Sequence, residues 1–207
     1  MHIRSARLYL VAPARLSAGM LAELVPELAS AGVDAIQLRE KDMEAKQILE
    51  LGAPIAEACR RAAIPFVVND RPDLALALGA DGLHLGQDDV PMEIARRIVP
   101  EVFFGGSTHS PEQVDAASRE PWDYFAVGPV YETPTKPGRP GTGLDLIRHA
   151  SDRAAANVWF AIGGIDRSNL GEVMQAGAER VVIVRAITEA PDPPAAAAEL
   201  KGMLGER

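Results

Sequence analysis

A chain of 207 residues suits one domain, and with 47% hydrophobic residues it can bury a sizeable core. A formal charge of −8 argues against nucleic acid or an anionic membrane as partner, because both demand basic surfaces, although a local basic pocket is still allowed. The single Cys59 excludes a disulfide framework within the chain, and the lack of a long apolar run or N-terminal h-region points to a cytosolic protein without a membrane span.

Aromatic residues are only 5% of the chain, so Ala, Val, Leu and Ile must build the core. Leu8 to Val11 is a first apolar run. Ala18 to Ala31 carries apolar residues at helical spacing and is closed by Gly32. Ala35 to Lys41 follows as a strand, then a helix over about Glu44 to Ala62. Phe66 to Val68 is a short strand that stops at Asn69 and Asp70. Asp73 to Leu78 is helical, Gly79 ends it, and Gly82 to Leu85 is the next strand, which stops at Gln87, Asp88 and Asp89. Pro91 opens a helix to Val99. Phe103 to Ser107 is a strand, and Ser110-Pro111-Glu112 reads as a helix start with Ser as cap and Pro at the first turn. Tyr124 to Gly128 is a strand followed by a long Pro/Gly/Thr loop to Gly143. Asp145 to Ala156 is a helix, Val158 to Ile162 a strand, Arg167 to Ala176 a helix, Arg180 to Val184 the last strand, and Pro193 to Leu204 a terminal helix.

Short apolar runs without clean alternation suit parallel strands covered on both faces. The phrases AGVDAIQL, LGADGLHL and AGAERVVI repeat one pattern, in which Gly ends a helix and an acid precedes an apolar run. The alternation predicts an α/β fold: one compact TIM (β/α)8 barrel over residues 1–207, lean for its class. A doubly wound open sheet is the main competitor. It would need fewer strands, and its glycine fingerprint is missing after the first strand.

Asp70 and Asp89 then leave the carboxyl ends of neighbouring strands on one rim. Two such carboxylates are a candidate Mg²⁺ site, because that ion takes one or two protein acids and completes its shell with water and phosphate. As loop residues or helix caps they would serve structure alone, and the spacing leaves both readings open. Gln37, Arg39 and Lys41 keep one phase, opposite Ile36 and Leu38, so their polar groups point into a barrel mouth where an anion would offset the cations. His84 lies inside a strand, where a satisfied core histidine is the commoner role. Gly105-Gly106-Ser107 allows a ligand to approach the backbone and offers a hydroxyl, although such glycines also relieve crowding. The loop from Gly128 to Gly143 carries Thr133, Thr135, Lys136 and Arg139, all donors to anionic oxygen, and its length suits a lid. AIGGI and the segment from Val184 to Ile187 end the last two strands, where such barrels commonly hold phosphate on backbone N–H groups. No nucleophile–base–acid pattern, CxxC or HExxH is present, which suits electrostatic removal of a diphosphate.

Taken together, QLREK, VNDR, HLGQDD, GGSTHS, GPVYETPTK, AIGGI and VVIVRAI resemble thiamine phosphate synthases in order and spacing, over nearly the whole chain. The resemblance implies a TIM barrel that joins hydroxymethylpyrimidine diphosphate to a thiazole phosphate by a dissociative route. It implies that Arg39, Lys41, Asn69, Ser107 and Lys136 hold the pyrophosphate, with Gln37 and His84 beside it. Asp70 and Asp89 would bind Mg²⁺. Thr133 and Thr135 would contact the thiazole phosphate, together with the backbone of Gly164 and of Arg185, Ala186 and Ile187. A homodimer is implied as well. One departure stands out: many members have Ser where this chain has Arg185. Two alternatives are a thiazole tautomerase-type barrel and a non-catalytic sensor of phosphate ligands. Retention of Asp70, Asp89, Arg39, Lys41 and Lys136 speaks against both.

Overall fold

Strands with no polar face must be covered twice, and a closed ring wrapped in helices does this. A computed structural model describes residues 3–133 and 140–205. Its parallel strands are β1 (Leu8–Ala12), β2 (Ala35–Leu38), β3 (Phe66–Asn69), β4 (Gly82–Leu85), β5 (Phe103–Thr108), β6 (Tyr124–Val127), β7 (Trp159–Ile162) and β8 (Val181–Ile183). They pair in chain order, and β8 returns to β1 with Leu8 opposite Val181, which closes a TIM barrel. The helices are α1 (Leu21–Ser30), α2 (Ala45–Arg61), α3 (Pro72–Leu78), α4 (Met92–Ile98), α5 (Pro111–Ala117), α6 (Gly143–Arg153), α7 (Leu170–Gln175), α8 (Arg185–Thr188) and α9 (Pro193–Leu204).

Alternation along each strand splits the apolar residues into two cores. Leu8, Leu10, Ile36, Leu38, Phe66 and Val68 pack outward under the helices. Tyr9, Val11, Ala35, Val67, Phe160 and Val182 fill the ring. Ser110 caps α5, accepting from the Gln113 amide at 3.3 Å, and Asp192 caps α9 through the Ala195 amide at 3.0 Å, as the Ser-Pro and Asp-Pro sequences require.

Three acids close the bottom of the ring. Asp34, just before β2, accepts the amides of Arg7 and Leu8 at 2.8 and 2.9 Å. Asp81, before β4, accepts the Phe66 amide at 2.8 Å, and Asp123, before β6, accepts the Phe104 amide at 2.9 Å. Each carboxylate thus ties a strand to its predecessor. The corresponding Glu179 lies before β8, where the Arg7 guanidinium takes over and donates to the carbonyls of Glu179, Leu204 and Gly205.

Two local expectations are corrected and one element is added. Residues 15–20 form a small hairpin, with Arg15–Leu16 paired antiparallel to Gly19–Met20, where helix was expected from Ala18. Gly19 at φ 138° permits that reversal. The helix expected from Arg167 starts at Leu170, because the Asp166 carboxylate takes the Ser168 amide and hydroxyl and holds a turn. The one-turn α8, directly after β8, was not foreseen.

Candidate active site

The inward phase that fills the ring lower down leads, at the carboxyl ends of the strands, into a cavity of about 900 Å³. Its wall holds Gln37, Arg39, Lys41, Asn69, Asp70, His84, Asp89, Ser107, Thr133, Gly164, Arg185 and Ala186, so these expected residues converge on one space. Thr135 and Lys136 lie outside the described residues, as does Arg139. Ile187 is not on the wall. Its side chain is fully buried, and its amide donates to the Val184 carbonyl at 3.1 Å. The rim amides left for a ligand in that segment are those of Arg185 and Ala186.

The two candidate metal ligands lie side by side. Asp70 takes a left-handed backbone conformation, φ 63°, and its amide donates to the His84 carbonyl at 2.8 Å. Asp and Asn tolerate that region better than most residues. Its carboxylate receives the Lys41 ammonium at 2.7 Å. Burial pushes the Asp70 carboxyl up, but hydrogen bonds from Lys41 and Asp89 and the Lys41 charge outweigh it, so it stands below the usual carboxylate range. Asp89 moves the other way, raised by burial and by the Asp70 carboxylate, against the pull of the Gly86 amide at 2.6 Å. A proton or a cation between the two acids is therefore favoured.

The donor set fits a hard divalent ion. Among the described residues no group of three or more His, Cys, Asp or Glu side chains is placed to enclose a metal. Two carboxylates on an open wall match Mg²⁺, which keeps water and substrate oxygens in its shell, better than a caged Zn²⁺ or Ca²⁺. Among the described wall residues, acids such as Asp42, Asp88, Asp166 and Glu189 outnumber Arg39, Lys41 and Arg185. A diphosphate in this cavity calls for additional positive charge.

Below the acids the floor is a line of hydrogen bonds. Gln37 Nε2 donates to Tyr9 Oη at 2.7 Å, Tyr9 Oη meets Tyr124 Oη at 3.0 Å, Tyr124 Oη meets His84 Nδ1 at 3.0 Å, and His84 Nε2 meets Ser107 Oγ at 2.9 Å. The tyrosines were not singled out in the sequence, where they fall within strand runs. The usable signal was that a buried phenol needs a partner. The Ser107–His84 contact also resembles a nucleophile–base pair, but the group on Nδ1 is a phenol, without the negative charge that would stabilise an imidazolium.

Of the two roles open for Gly105 and Gly106, relief of crowding is the one observed. Neither faces the cavity. A Cβ on Gly105 would lie 2.1 Å from the Tyr124 ring, and one on Gly106 would lie 3.1 Å from Trp122. These glycines make room for aromatic side chains, and Tyr124 reaches His84 because Gly105 yields space. Gln87, also unforeseen, lines the cavity and donates to the Ser107 carbonyl at 2.5 Å. Arg185 opens α8 and is turned along it, with Nε 3.0 Å from the Glu189 carboxylate.

A family model described as thiamine monophosphate synthase matches residues 8–187. The chain belongs to the thiamine monophosphate synthase family. It is 54% identical over 204 residues to the thiamine-phosphate synthase of Acidothermus cellulolyticus, covering 98% of this chain and 96% of the relative. It is 50% identical over 200 residues to that of Thermus thermophilus, covering 96% and 97%. A solved thiamine phosphate pyrophosphorylase from Pyrococcus furiosus superposes with a TM-score of 0.87 at 31% identity over 98% of both chains. Among the described residues of this synthase-family chain, no helix is long and apolar enough to cross a membrane.

Proposed function

We propose that the cavity joins hydroxymethylpyrimidine diphosphate to hydroxyethylthiazole phosphate, giving thiamine phosphate and pyrophosphate, and that the diphosphate leaves before the thiazole nitrogen attacks. Thiamine phosphate synthase activity itself, a transferase reaction on small molecules, follows from the family and from relatives 50–54% identical over nearly the full length. The observation that carries the mechanistic reading is the clustering of Arg39, Lys41 and Ser107 beside the Asp70–Asp89 pair on one wall.

Arg39, Lys41, Asn69, Ser107 and Lys136 would hold the departing pyrophosphate, with Gln37 and His84 beside it. Asp70 and Asp89 would hold Mg²⁺, which when bound neutralises charge on diphosphate oxygens. Lys41 is then the residue that changes partner, from Asp70 to the diphosphate. Fixed donors aimed at the diphosphate stabilise the charge that develops on the leaving group, so no enzyme nucleophile is needed. Thr133, Thr135, the Gly164 backbone and the Arg185 and Ala186 amides would hold the thiazole phosphate. The test is to mix both phosphorylated heterocycles with Mg²⁺ and protein and to follow thiamine phosphate and pyrophosphate together. Equal yields of the two support the reading. Pyrophosphate without thiamine phosphate would reduce the site to a hydrolase, and tight binding with no product would make it a sensor.

Arg185 can serve this phosphate from its two terminal amino groups, since Glu189 engages only Nε. Arg185→Ser is expected to raise KM for the thiazole phosphate by about three- to tenfold, the range for a charge-assisted contact partly screened at a rim. It should also flatten the dependence of KM on salt. If neither KM nor its salt dependence moves, Arg185 is an exposed arm and backbone amides carry the phosphate alone.

A further inference from the structure

The line of hydrogen bonds under the cavity has a direction that chemistry can assign. A neutral imidazole offers one N–H and one lone pair, and here two hydroxyls flank it, the Tyr124 phenol at Nδ1 and the Ser107 alcohol at Nε2. A phenol is much the stronger acid and hence the better donor, so it takes the lone pair and the alcohol receives the N–H. A count of hydrogens gives the same answer. Tyr9, Tyr124, His84 and Ser107 bring four hydrogens to three links, so one must point out of the line. Run from Tyr9 towards Ser107, the spare hydrogen is that of Ser107, on the cavity wall. Run the other way, it is that of Tyr9, which is 1% exposed and whose oxygen already meets Gln37 Nε2 and Tyr124.

We propose that Tyr124 is a positioning residue: it holds His84 as the neutral Nε2–H tautomer, and so keeps the Ser107 hydroxyl as a donor facing the cavity, where it takes an oxygen of the diphosphate. The ligand half of this statement rests on the diphosphate reading above; the tautomer half does not. The hydrogen bond on one ring nitrogen sets the proton on the other, so loss of the Tyr124 hydroxyl frees Nδ1. Ser107 can then turn its hydrogen inward to His84 and present only lone pairs to an anion. Tyr9 stands one step back. Without its hydroxyl, Tyr124 still donates to His84.

The experiment is ¹⁵N-correlated NMR of the His84 ring in the ligand-free protein, assigned with His84→Gln, together with the affinity for inorganic pyrophosphate in Mg²⁺. The wild-type ring is expected to be protonated at Nε2 only. Tyr124→Phe keeps the aromatic packing against Tyr9, Phe103 and Phe160. It is expected to give a tautomer mixture and to weaken pyrophosphate by about three- to tenfold. Tyr9→Phe, which also removes a buried hydroxyl, is expected to leave the tautomer unchanged. Protonation at Nδ1 in the wild type would overturn the proposal, because the line would then run the other way, with the Gln37 amide turned over. The same holds if Tyr9→Phe and Tyr124→Phe shift the ring equally. If Ser107→Ala weakens pyrophosphate and Tyr124→Phe does not, the role of Tyr124 falls while the diphosphate reading stands. If neither does, the diphosphate reading of Ser107 fails and the ligand half falls with it.

Discussion

Asp70→Asn is expected to lower turnover by about a hundredfold or more, the scale seen when one fixed electrostatic partner of a leaving group is lost. The substitution keeps the shape and removes the charge. Asn accepts the left-handed backbone at φ 63°, so the strand end keeps its geometry. Lys41 loses its partner, but that pair is half-exposed on the Lys41 side, and such pairs contribute little to stability. The thermal midpoint should therefore move by only a few degrees at most, roughly 1 kcal/mol or less. The initial rate of thiamine phosphate formation and the binding of Mn²⁺ as a paramagnetic stand-in for Mg²⁺ are measured on the same sample. Both should fall. Wild-type turnover with undiminished ion binding would remove Asp70 from the site. A loss of turnover with unchanged ion binding would confine Asp70 to holding Lys41.

Asp34→Ala is expected to have the largest effect on stability. The carboxylate accepts the Arg7 and Leu8 amides and pairs with Lys201 at 2.6 Å, beneath a fully buried Leu8. Removing it strands two amides, each worth about 1–3 kcal/mol when left without an acceptor. A total of about 3 kcal/mol lowers the melting temperature by roughly 6–12 °C in a domain of this size. Both amides and Lys201 converge on one oxygen, Oδ2, so Asp34→Asn keeps that acceptor, loses only the charge facing the part-exposed Lys201, and should cost about 1 kcal/mol or less. A shift in Asp34→Ala under about 2 °C would mean that water takes the place of the carboxylate. Neither variant should alter the substrate KM values, because the contacts lie at the end of the barrel opposite the cavity.

The ring and its order were legible in the sequence, because strands covered on both faces leave uninterrupted apolar runs and each helix ends on a glycine or a charged turn. The Gln37, Arg39 and Lys41 phase was legible for a related reason: polar groups that alternate with Ile36 and Leu38 have only the mouth to point into. Tyr9 was not, since in LYLVA its ring serves the core as well as a leucine would, and only the hydroxyl betrays a polar neighbour. Its partner Tyr124 lies 115 positions away, a distance over which local pattern carries no information. The glycines of β5 left two readings open for the converse reason. Absence of a side chain indicates that something comes close, but not whether it is a ligand or, as at Gly105, a tyrosine ring.

The acids beneath the ring also bear on how it assembles. The amides held by Asp34, Asp81 and Asp123 lie only 15 to 27 positions away, so these links join a strand to the one just before it, while the Asp34–Lys201 pair spans 167 positions. The Arg7 links span 172 to 198 positions. Contacts of low sequence separation close at small entropic cost and form early, whereas distant ones wait for the chain between them to be ordered. The acid-tied pairs β1–β2, β3–β4 and β5–β6 are therefore expected to form early, and the seam between β8 and β1 last. In native-state hydrogen exchange the Val181 amide, which donates to the Arg7 carbonyl across the seam at 2.8 Å, should open at lower free energy than that of Phe66, and the reverse order would count against a late seam.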